Sequence, residues 1–255
     1  MQALFQTILY QPIFNLFVGF YDLIPDVGVA ILLLTVLIKA VLYPLTASSI
    51  KAQKSLMELQ PKMEELKKKH KDNQQLLAQE TMKLYKENKV NPFGSCLPIL
   101  IQLPIFLALY WVLQAGLTKD SFDLLYSFVP NPGRINTVSF GIIDLKERSI
   151  LLAVVAGLAQ FVQTKMMTRK RPPKSAGEGA KDENMMAMMN KQMLYFMPFM
   201  TFFIGLQLPG GLSLYWFLST ALTALQQLVL FRKKDGGAGG QKGGDGGVIE
   251  GKVIG

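Results

Sequence analysis

The chain has 255 residues, half of them hydrophobic (50%), and a formal net charge of +9. Its mean hydropathy of +0.26 and its apolar runs of bilayer length exclude an ordinary soluble domain and predict an all-α polytopic membrane protein. Cys96 is the sole cysteine, which excludes an intrachain disulfide and a cysteine-based metal centre, and the sole histidine, His70, lies in a lysine-rich stretch that favours a solvated turn over a Ser-His-Asp triad.

Residues 1–26 contain no Lys or Arg, and their apolar positions are interrupted by Pro12 and by polar residues such as Gln11 and Asn15. This pattern favours an amphipathic helix in the extracytoplasmic membrane interface. The alternative is an irregular first span, which Pro12 and Asn15 at its centre disfavour. Neither the basic start nor the small-residue cleavage site of a secretory signal is present.

Five apolar segments predict five transmembrane spans. Their predicted bounds are 27–48, 94–117, 149–167, 189–208 and 211–231. Pro209 and Gly210 join the last two spans so tightly that these should form a helical hairpin.

The distribution of Lys and Arg predicts the orientation of the spans. There are ten of these residues in 49–93, seven in 165–193 and five after residue 231, but none in 1–26 and four in 118–148. By the positive-inside rule, the N-terminus lies outside and the C-terminus in the cytoplasm.

Segment 49–93 predicts a cytoplasmic helical hairpin, because its apolar residues repeat at spacings of three and four on either side of a turn at 71–73. Pro61 suits the first turn of one helix, and Asn91-Pro92 ends the other. A solvated pair without a partner and a hairpin that contacts headgroups, a targeting factor or the ribosome are both compatible with this pattern.

Two further cytoplasmic segments have the composition of irregular chain. Residues 168–190, rich in Pro, Gly and charge, predict a mobile loop, and the Gly-rich residues 232–255 predict a flexible tail. Seven methionines between 185 and 200 are ordinary helix core or a soft surface for variable apolar partners.

Lys39 lies inside the first predicted span, about 18 Å along the helix axis from Val27. A lysine at the bilayer centre costs about 2.5–3.5 kcal/mol. Snorkelling to nearby headgroups is one explanation, and a hydrated setting inside the protein is the other. Thr35 and Tyr43 share the helix face of Lys39, because each lies four residues away.

Other predicted spans also carry polar side chains. These are Gln102 in the second span, Gln160 and Gln163 in the third, and a stripe of Trp216, Ser219 or Thr220, Thr223 and Gln226 in the fifth. Each alone can be an interhelical hydrogen bond worth about 0.6 kcal/mol. Together they predict a hydrophilic groove around Lys39. Since no Asp or Glu lies in any predicted span, a proton relay is not expected, and the charge of Lys39 can attract an acidic segment from outside the bundle.

Several motifs of the chain are specific in residue type and spacing. These are YPLT at 43–46, LQPKMEELKKK at 59–69, the block YKENKVNPFGSCLPILIQLPIFLALYWVL at 85–113, PGGLSLYWFLST at 209–220 and the glutamine pair at 226–227. They resemble the YidC family of membrane protein insertases and its mitochondrial Oxa and chloroplast Albino relatives, and the resemblance runs from about residue 19 to 231.

The resemblance implies five spans around a hydrophilic groove that is closed to the outside and open to the cytoplasm and to lipid. A basic residue of the first span, arginine in the family and Lys39 here, draws the polar segment of a client into the groove, and the apolar helix of the client then passes into lipid. Thr35, Gln163 and Trp216 are implied to line the groove, and helix position adds Gln102, Gln160 and Tyr43. The chain looks like the minimal family form, without the large extracytoplasmic domain and extra span of Gram-negative members.

The expected function is therefore that of an insertase or chaperone of a bacterial plasma membrane, with no chemical step, cofactor or metal. Expected partners are nascent client proteins and the bilayer, with the ribosome, a targeting factor and the general secretion channel as further candidates, and a monomer should suffice. A small-solute transporter or channel is the alternative, but it would be expected to show internal repeats, which the sequence lacks. An intramembrane enzyme lacks acid–base residues in its spans.

Overall fold

The computed structural model describes residues 2–71, 73–95, 97–114, 119–167 and 180–237. This part of the chain is mostly helical, as predicted for an all-α membrane protein. In chain order its helices are α1 Gln2–Phe5, α2 Gln11–Leu23, α3 Val27–Val41, α4 Tyr43–Lys69, α5 Gln74–Glu87, α6 Leu97–Gln114, α7 Ile150–Met167, α8 Ala180–Gln207 and α9 Gly210–Gly237. A π-helical turn, Gln6–Tyr10, connects α1 to α2, and 3-10 turns occur at Pro92–Ser95 and Lys119–Leu124.

The N-terminal segment is helical, as the sequence indicated, but one face of α2 is buried against the protein. Phe14, Phe17 and Val18 are fully buried in the core. Asn15 is also buried, because its amide donates to the carbonyl of Leu124 (3.0 Å) and its oxygen accepts from the N–H of Tyr126 (2.6 Å). Asn15 therefore ties α2 to the loop that follows α6.

The first predicted span, 27–48, is not one straight helix. α3 ends at Val41, and α4 starts at Tyr43 after a bend of 70°. Pro44 accounts for the break, since it has no backbone N–H and its ring would clash with the carbonyl of Ala40 in a continuous helix. The 15 residues of α3 are about 22 Å long, which is less than the ~30 Å hydrocarbon layer.

The predicted helical hairpin is present as α4 and α5. Its first helix does not begin near Pro61, as the sequence suggested, but runs through that residue from Tyr43. A helix can contain a proline when tertiary packing outweighs the lost hydrogen bond. Asn73 caps α5 by accepting from the N–H of Leu76 (3.0 Å), and the Tyr85 hydroxyl lies 3.1 Å from the sulfur of Met63 across the hairpin.

Three described helices are long and apolar enough to cross a membrane: Leu97–Gln114, Ile150–Met167 and Gly210–Phe231. The bent pair α3–α4 would make a fourth span, and α8 contributes a shorter apolar helix, Leu194–Gln207. The predicted number of five spans thus stays a prediction.

Two predicted irregular segments are partly helical. Residues 180–190 of the predicted loop belong to α8, and α9 continues beyond residue 231 to Gly237. Both segments are polar extensions of apolar helices. The hydropathy falls at the end of the apolar segment, but the helical backbone hydrogen bonding continues beyond it. Residues 168–179 and 238–255 of those predictions lie outside the described residues.

Several helix ends meet at the loop between α6 and α7. The N–H groups of Gly210 and Gly211 donate to the carbonyls of Glu147 and Leu145, at 2.8 Å each. These bonds satisfy two of the unpaired N–H groups that begin α9. We refer to this side, where α3, α7 and α9 begin and α6 ends, as the loop end.

A short antiparallel hairpin at the loop end binds the start of α3. Its strands are β1 Val138–Ser139 and β2 Ile143–Asp144. The Asp26 carboxylate accepts from the Ser139 hydroxyl (2.6 Å), from the N–H of Phe140 (2.6 Å) and, as the N-cap of α3, from the N–H of Val29 (3.0 Å). Burial acts to raise the pKa of this carboxyl, but these hydrogen bonds outweigh it and leave the pKa lowered.

The opposite end joins α4 to α6 and α9. The Ser49 hydroxyl donates to the carbonyl of Gly94 (2.5 Å), and the ammonium of Lys54 lies 4.4 Å from the ring centre of Phe231. The core lies between these two ends, nearer the loop end, where fully buried side chains of α2, α3, α6 and α9 pack together.

Candidate functional site

Lys39 lies in the last turn of α3, where a cation is favoured by the negative end of the helix dipole. Its side chain is half-buried against α9, and its ammonium donates to Oγ1 of Thr223 at 2.9 Å. The Thr223 hydroxyl in turn donates to the carbonyl of Ser219 at 2.8 Å. Because the proton of Thr223 is used in that bond, its oxygen is free to accept from Lys39.

A second polar contact forms where the chain bends between α3 and α4. The Gln226 amide donates to Oγ1 of Thr46 (3.0 Å) and to the carbonyl of Tyr43 (3.3 Å). The Thr46 hydroxyl also lies 3.0 Å from the carbonyl of Leu42. These two side chains are additional partners for the carbonyls of Leu42 and Tyr43, since the N–H of Thr46 also donates to the Leu42 carbonyl at 2.9 Å.

Lys39, Thr46, Thr223 and Gln226 thus form one line of polar contacts, which we name the polar seam. It runs along α9 where α9 meets the bent pair, with Gln226 one turn beyond Thr223. Among the described residues no carboxylate pairs with Lys39. The other end of α3, where Asp26 lies, is about 20 Å away along the helix axis. Within the part of the chain that the structure describes, the positive charge of Lys39 is therefore not neutralised.

Two of the residues predicted for the groove lie on the contact of α6 with α9. The Gln102 amide donates to the Tyr215 hydroxyl, which is buried in the core. The Trp216 ring packs edge-to-face against Phe106, with ring centres 5.6 Å apart. Such pairs combine apolar burial with geometric preference. Trp216, and Tyr215 to which Gln102 of α6 donates, therefore lie on the same helix as Thr223 and Gln226 of the seam, nearer the loop end.

The remaining predicted groove residues have different surroundings. Thr35 is fully buried, and its hydroxyl donates to the carbonyl of Ile31 (2.6 Å), so it faces the core in this conformation. On α7, Gln160 contacts Thr164 of the same helix at 3.4 Å, and Gln163 is half-buried. The Tyr43 side chain is exposed, and it is the Tyr43 carbonyl that joins the seam.

Thr223 and Gln226 belong to the predicted polar stripe of α9 but not to the predicted groove-lining residues, and Thr46 belongs to neither set. The spacing of three and four along the stripe is the signal that selects Thr223 and Gln226. Thr46 could not be selected in this way, because its contact with Gln226 depends on the bend at Leu42.

Within the described residues, no group of three or more His, Cys, Asp or Glu side chains could hold a metal ion. The seam offers a cation, two hydroxyls and an amide. This set suits recognition of carboxylates and other polar groups by hydrogen bonding and charge.

Comparisons with known proteins agree over most of the chain. A family model described as "60Kd inner membrane protein" matches residues 19–237. A protein of Fusobacterium nucleatum named Membrane protein insertase YidC is 35% identical over 206 residues, which cover 81% of this chain and 86% of that protein. The YidC of Haemophilus influenzae is 35% identical over 222 residues, covering 87% of this chain and 36% of that protein.

A solved structure has a similar fold. It is described as "Active YidC insertase crystal structure with the first transmembrane domain resolved", and it aligns with a TM-score of 0.53 and 27% sequence identity. The alignment covers 87% of this chain and 45% of that chain. This chain thus spans less than half of the solved protein and about a third of the Haemophilus relative, but most of the Fusobacterium one.

Proposed function

Because the chain belongs to the YidC family of membrane protein insertases, we propose that it draws polar segments of client proteins to the polar seam and releases their apolar helices into lipid. The chain is a multi-pass inner-membrane protein, and its family is not one of catalytic enzymes. The observation that carries the proposal is Lys39, a half-buried cation whose described partner is the neutral hydroxyl of Thr223.

The charge of Lys39 is the attracting group. A cation in a partly buried site interacts more strongly with a carboxylate than it would in bulk water, because the effective dielectric constant is lower. The Thr223 hydroxyl holds the ammonium without neutralising it. An acidic segment of a client therefore gains more at the seam than a neutral segment does.

The route out of the protein is apolar. Exposed side chains follow one face of α7 at helical spacings, and aromatic side chains cover the neighbouring surface of α8. These are Leu151, Val154, Leu158 and Val162 on α7, and Phe196, Phe199 and Phe203 on α8. Transfer of the apolar helix of the client from water past this surface into lipid supplies about 25 cal/mol per Å² buried, so the proposed mechanism needs no chemical step and no cofactor.

The proposed orientation places the loop end outside and the α4–α5 hairpin in the cytoplasm, following the Lys and Arg distribution. The N-terminus would then be outside and the C-terminus inside. Two single-cysteine chains that lack Cys96, Asn131→Cys and Gln79→Cys, test this in intact cells with a membrane-impermeant maleimide. Labelling of Asn131→Cys alone is expected, and labelling of Gln79→Cys alone would reverse the orientation.

Nascent membrane proteins in a bilayer are the clients of this family. We extend the proposal to a ribosome or targeting factor at the α4–α5 hairpin, which is rich in lysine, and to cooperation with the general secretion channel. A monomer is sufficient for the mechanism, because every seam residue comes from one chain.

Insertion into proteoliposomes tests the central proposal. Two single-span clients that differ only in an acidic or neutral polar tail are compared with the parent chain and with Lys39→Arg, Lys39→Ala and Lys39→Glu. Lys39→Arg should insert both clients, whereas Lys39→Glu should strongly reduce insertion of the acidic client and affect the neutral one less. Lys62→Glu, an equal change of charge at an exposed position of α4, is the control.

Equal insertion of the acidic client by the parent and by Lys39→Glu would contradict attraction by charge. Leakage of a specific small solute through vesicles without client would instead favour a transporter or channel.

A further inference from the structure

The hairpin at the loop end exposes large apolar side chains that the proposed insertion mechanism does not use. The side chains of Phe140 and Ile142, at the hairpin tip, are 74% and 82% exposed, and that of Phe128, in the same loop, is 79% exposed. Single exposed apolar residues are common on soluble surfaces. Three large side chains at the tips of one loop of a membrane protein are a more specific feature.

The backbone holds Phe140 in an unusual conformation. Its φ is +51°, in the left-handed region that bulky residues rarely adopt. The Asp26 carboxylate accepts from its N–H at 2.6 Å, and the carbonyl of Ser139 accepts from the N–H of Ile142 at 3.0 Å. Glycine or asparagine would fit this position with less strain. A phenylalanine there is explained if its side chain has a binding role.

The same contacts fix the level of the tip relative to the membrane. Asp26 caps α3, whose apolar sequence begins at Val27. Leu23 and Ile24, just before this cap, are exposed as well. The tip is therefore bonded to the place where an apolar helix leaves the hydrocarbon layer, and this is the depth at which aromatic side chains concentrate in membrane proteins.

Continuity with the exposed apolar row of α7 indicates lipid as the occupant. The exposed charges of the loop include Arg134, Lys146 and Arg148, which can interact with lipid phosphates, but also Asp123 and Glu147, so charge alone does not select the occupant. Directly after Arg148, the exposed apolar row of α7 begins with Ile150 and Leu151. The apolar surface of the loop thus continues a surface that faces lipid.

We propose that Phe128, Phe140 and Ile142 form a membrane anchor that enters the headgroup region of the leaflet at the loop end. The anchor acts in the absence of clients. It fixes the loop against the bilayer and so holds the first turns of α3 and α9, to which the loop is hydrogen-bonded. The proposal depends on the membrane level of the loop end and not on which side of the membrane that end faces.

Spin labelling of single cysteines tests the anchor. Full chains with Cys96→Ser and either Ile142→Cys, Phe128→Cys or the exposed loop position Asn131→Cys are labelled with a nitroxide and reconstituted in phosphatidylglycerol-containing vesicles without client. Oxygen partitions into apolar surroundings and an ionic nickel complex does not. The ratio of oxygen to nickel collision rates at 142 and 128 should therefore be at least about threefold above that at 131.

A ratio at 142 and 128 equal to that at 131 would overturn the proposal. It would also be overturned if the ratio rose only after a client was added, which would identify client docking, or only at high protein density, which would identify contact between copies. Unchanged thermal unfolding of the labelled chains in detergent verifies that they are folded. Insertion activity is not the readout, so this test is independent of the proposed function.

Discussion

The Nζ atom of Lys39 donates a hydrogen bond to Oγ1 of Thr223 at 2.9 Å and so connects the last turn of α3 to the middle of α9. The two residues are 184 positions apart in the chain. This bond holds the ammonium at a defined place without neutralising it. The position of the Lys39 ammonium should therefore depend on Thr223. The charge of Lys39 should not depend on Thr223.

Replacement of Thr223 separates these two properties. Thr223→Val keeps the shape of the side chain but removes the acceptor, and an interhelical hydrogen bond in a membrane is worth about 0.6–1.7 kcal/mol. We expect a loss of several-fold in the insertion rate of a client with an acidic tail, measured by protease protection in proteoliposomes. Thr223→Ser, which keeps the hydroxyl, is the matched control and should retain most activity. A loss in Thr223→Ser together with an unchanged Thr223→Val would show that packing of the methyl group matters and not the bond.

Part of the polar seam follows from local periodicity in the sequence. The spacing of Thr223 and Gln226 places them on one helix face, and the cost of a lysine in an apolar run indicated a polar setting for Lys39. Local periodicity carries such information because a helix fixes which residues share a face. The partners of these residues depend on contacts between helices distant in the chain, and periodicity does not specify those.

The bend at Leu42 and the role of Asn15 show this limit. Pro44 was a visible signal for a helix break, but hydropathy continues across it, so one span was predicted. Asn15 indicated that α2 is a poor span, yet its function is to bind the backbone of Leu124 and Tyr126, more than 100 residues away. A buried asparagine and an interfacial one have the same local sequence pattern.

Gly28 should not tolerate a larger side chain. A Cβ atom at this position would lie 2.2 Å from the hydroxyl oxygen of Ser139, which donates to Asp26. Gly28→Ala should therefore displace the hairpin from α3 and destabilise the protein by about 1–3 kcal/mol, measured as a lower Tm in detergent. Gly19→Ala is the control, because nothing lies within 4 Å of its Cβ, and it should be neutral or stabilising by up to ~1 kcal/mol.

A second variant verifies the cause of the Gly28 effect. Removal of the Ser139 hydroxyl frees the space that the new methyl group needs. Gly28→Ala combined with Ser139→Ala should therefore cost less than the sum of the two single changes. Additive losses would contradict the predicted clash.

The contribution of Asp26 to stability should depend on pH in one direction. Its hydrogen bonds lower the pKa of the folded carboxyl, so folding favours the charged form. The resulting stability is fully present above the ordinary carboxyl pKa of about 3.9 and is lost as the pH falls through the lowered value. The difference in Tm between the parent chain and Asp26→Asn should thus be constant from about pH 7 to 5 and shrink below about pH 4. The exposed Asp22→Asn is the control, and a difference that grows on acidification would contradict this account.

Gln226 and Gln227 are adjacent on α9 but should respond in opposite ways to replacement by leucine. Gln226 binds Thr46 and the carbonyl of Tyr43, so Gln226→Leu should lower the Tm and weaken the contact of α9 with the bent pair. Gln227 is 1% exposed, and its Oε1 atom has no hydrogen-bond partner among the described residues. An unpaired buried acceptor costs about 1–3 kcal/mol, so Gln227→Leu should leave the Tm unchanged or raise it.

Insertion measurements on Gln227→Leu then distinguish a structural role from a functional one. If Gln227 has no role beyond packing, the leucine variant keeps the activity of the parent while its Tm is equal or higher. Lower activity at an undiminished Tm would instead assign the acceptor to contact with a client or with water along its path, because natural proteins retain such unfavourable groups mainly where function requires them. A Tm loss larger than that of Gln226→Leu would show that Gln227 is satisfied in the membrane by a partner outside the described residues.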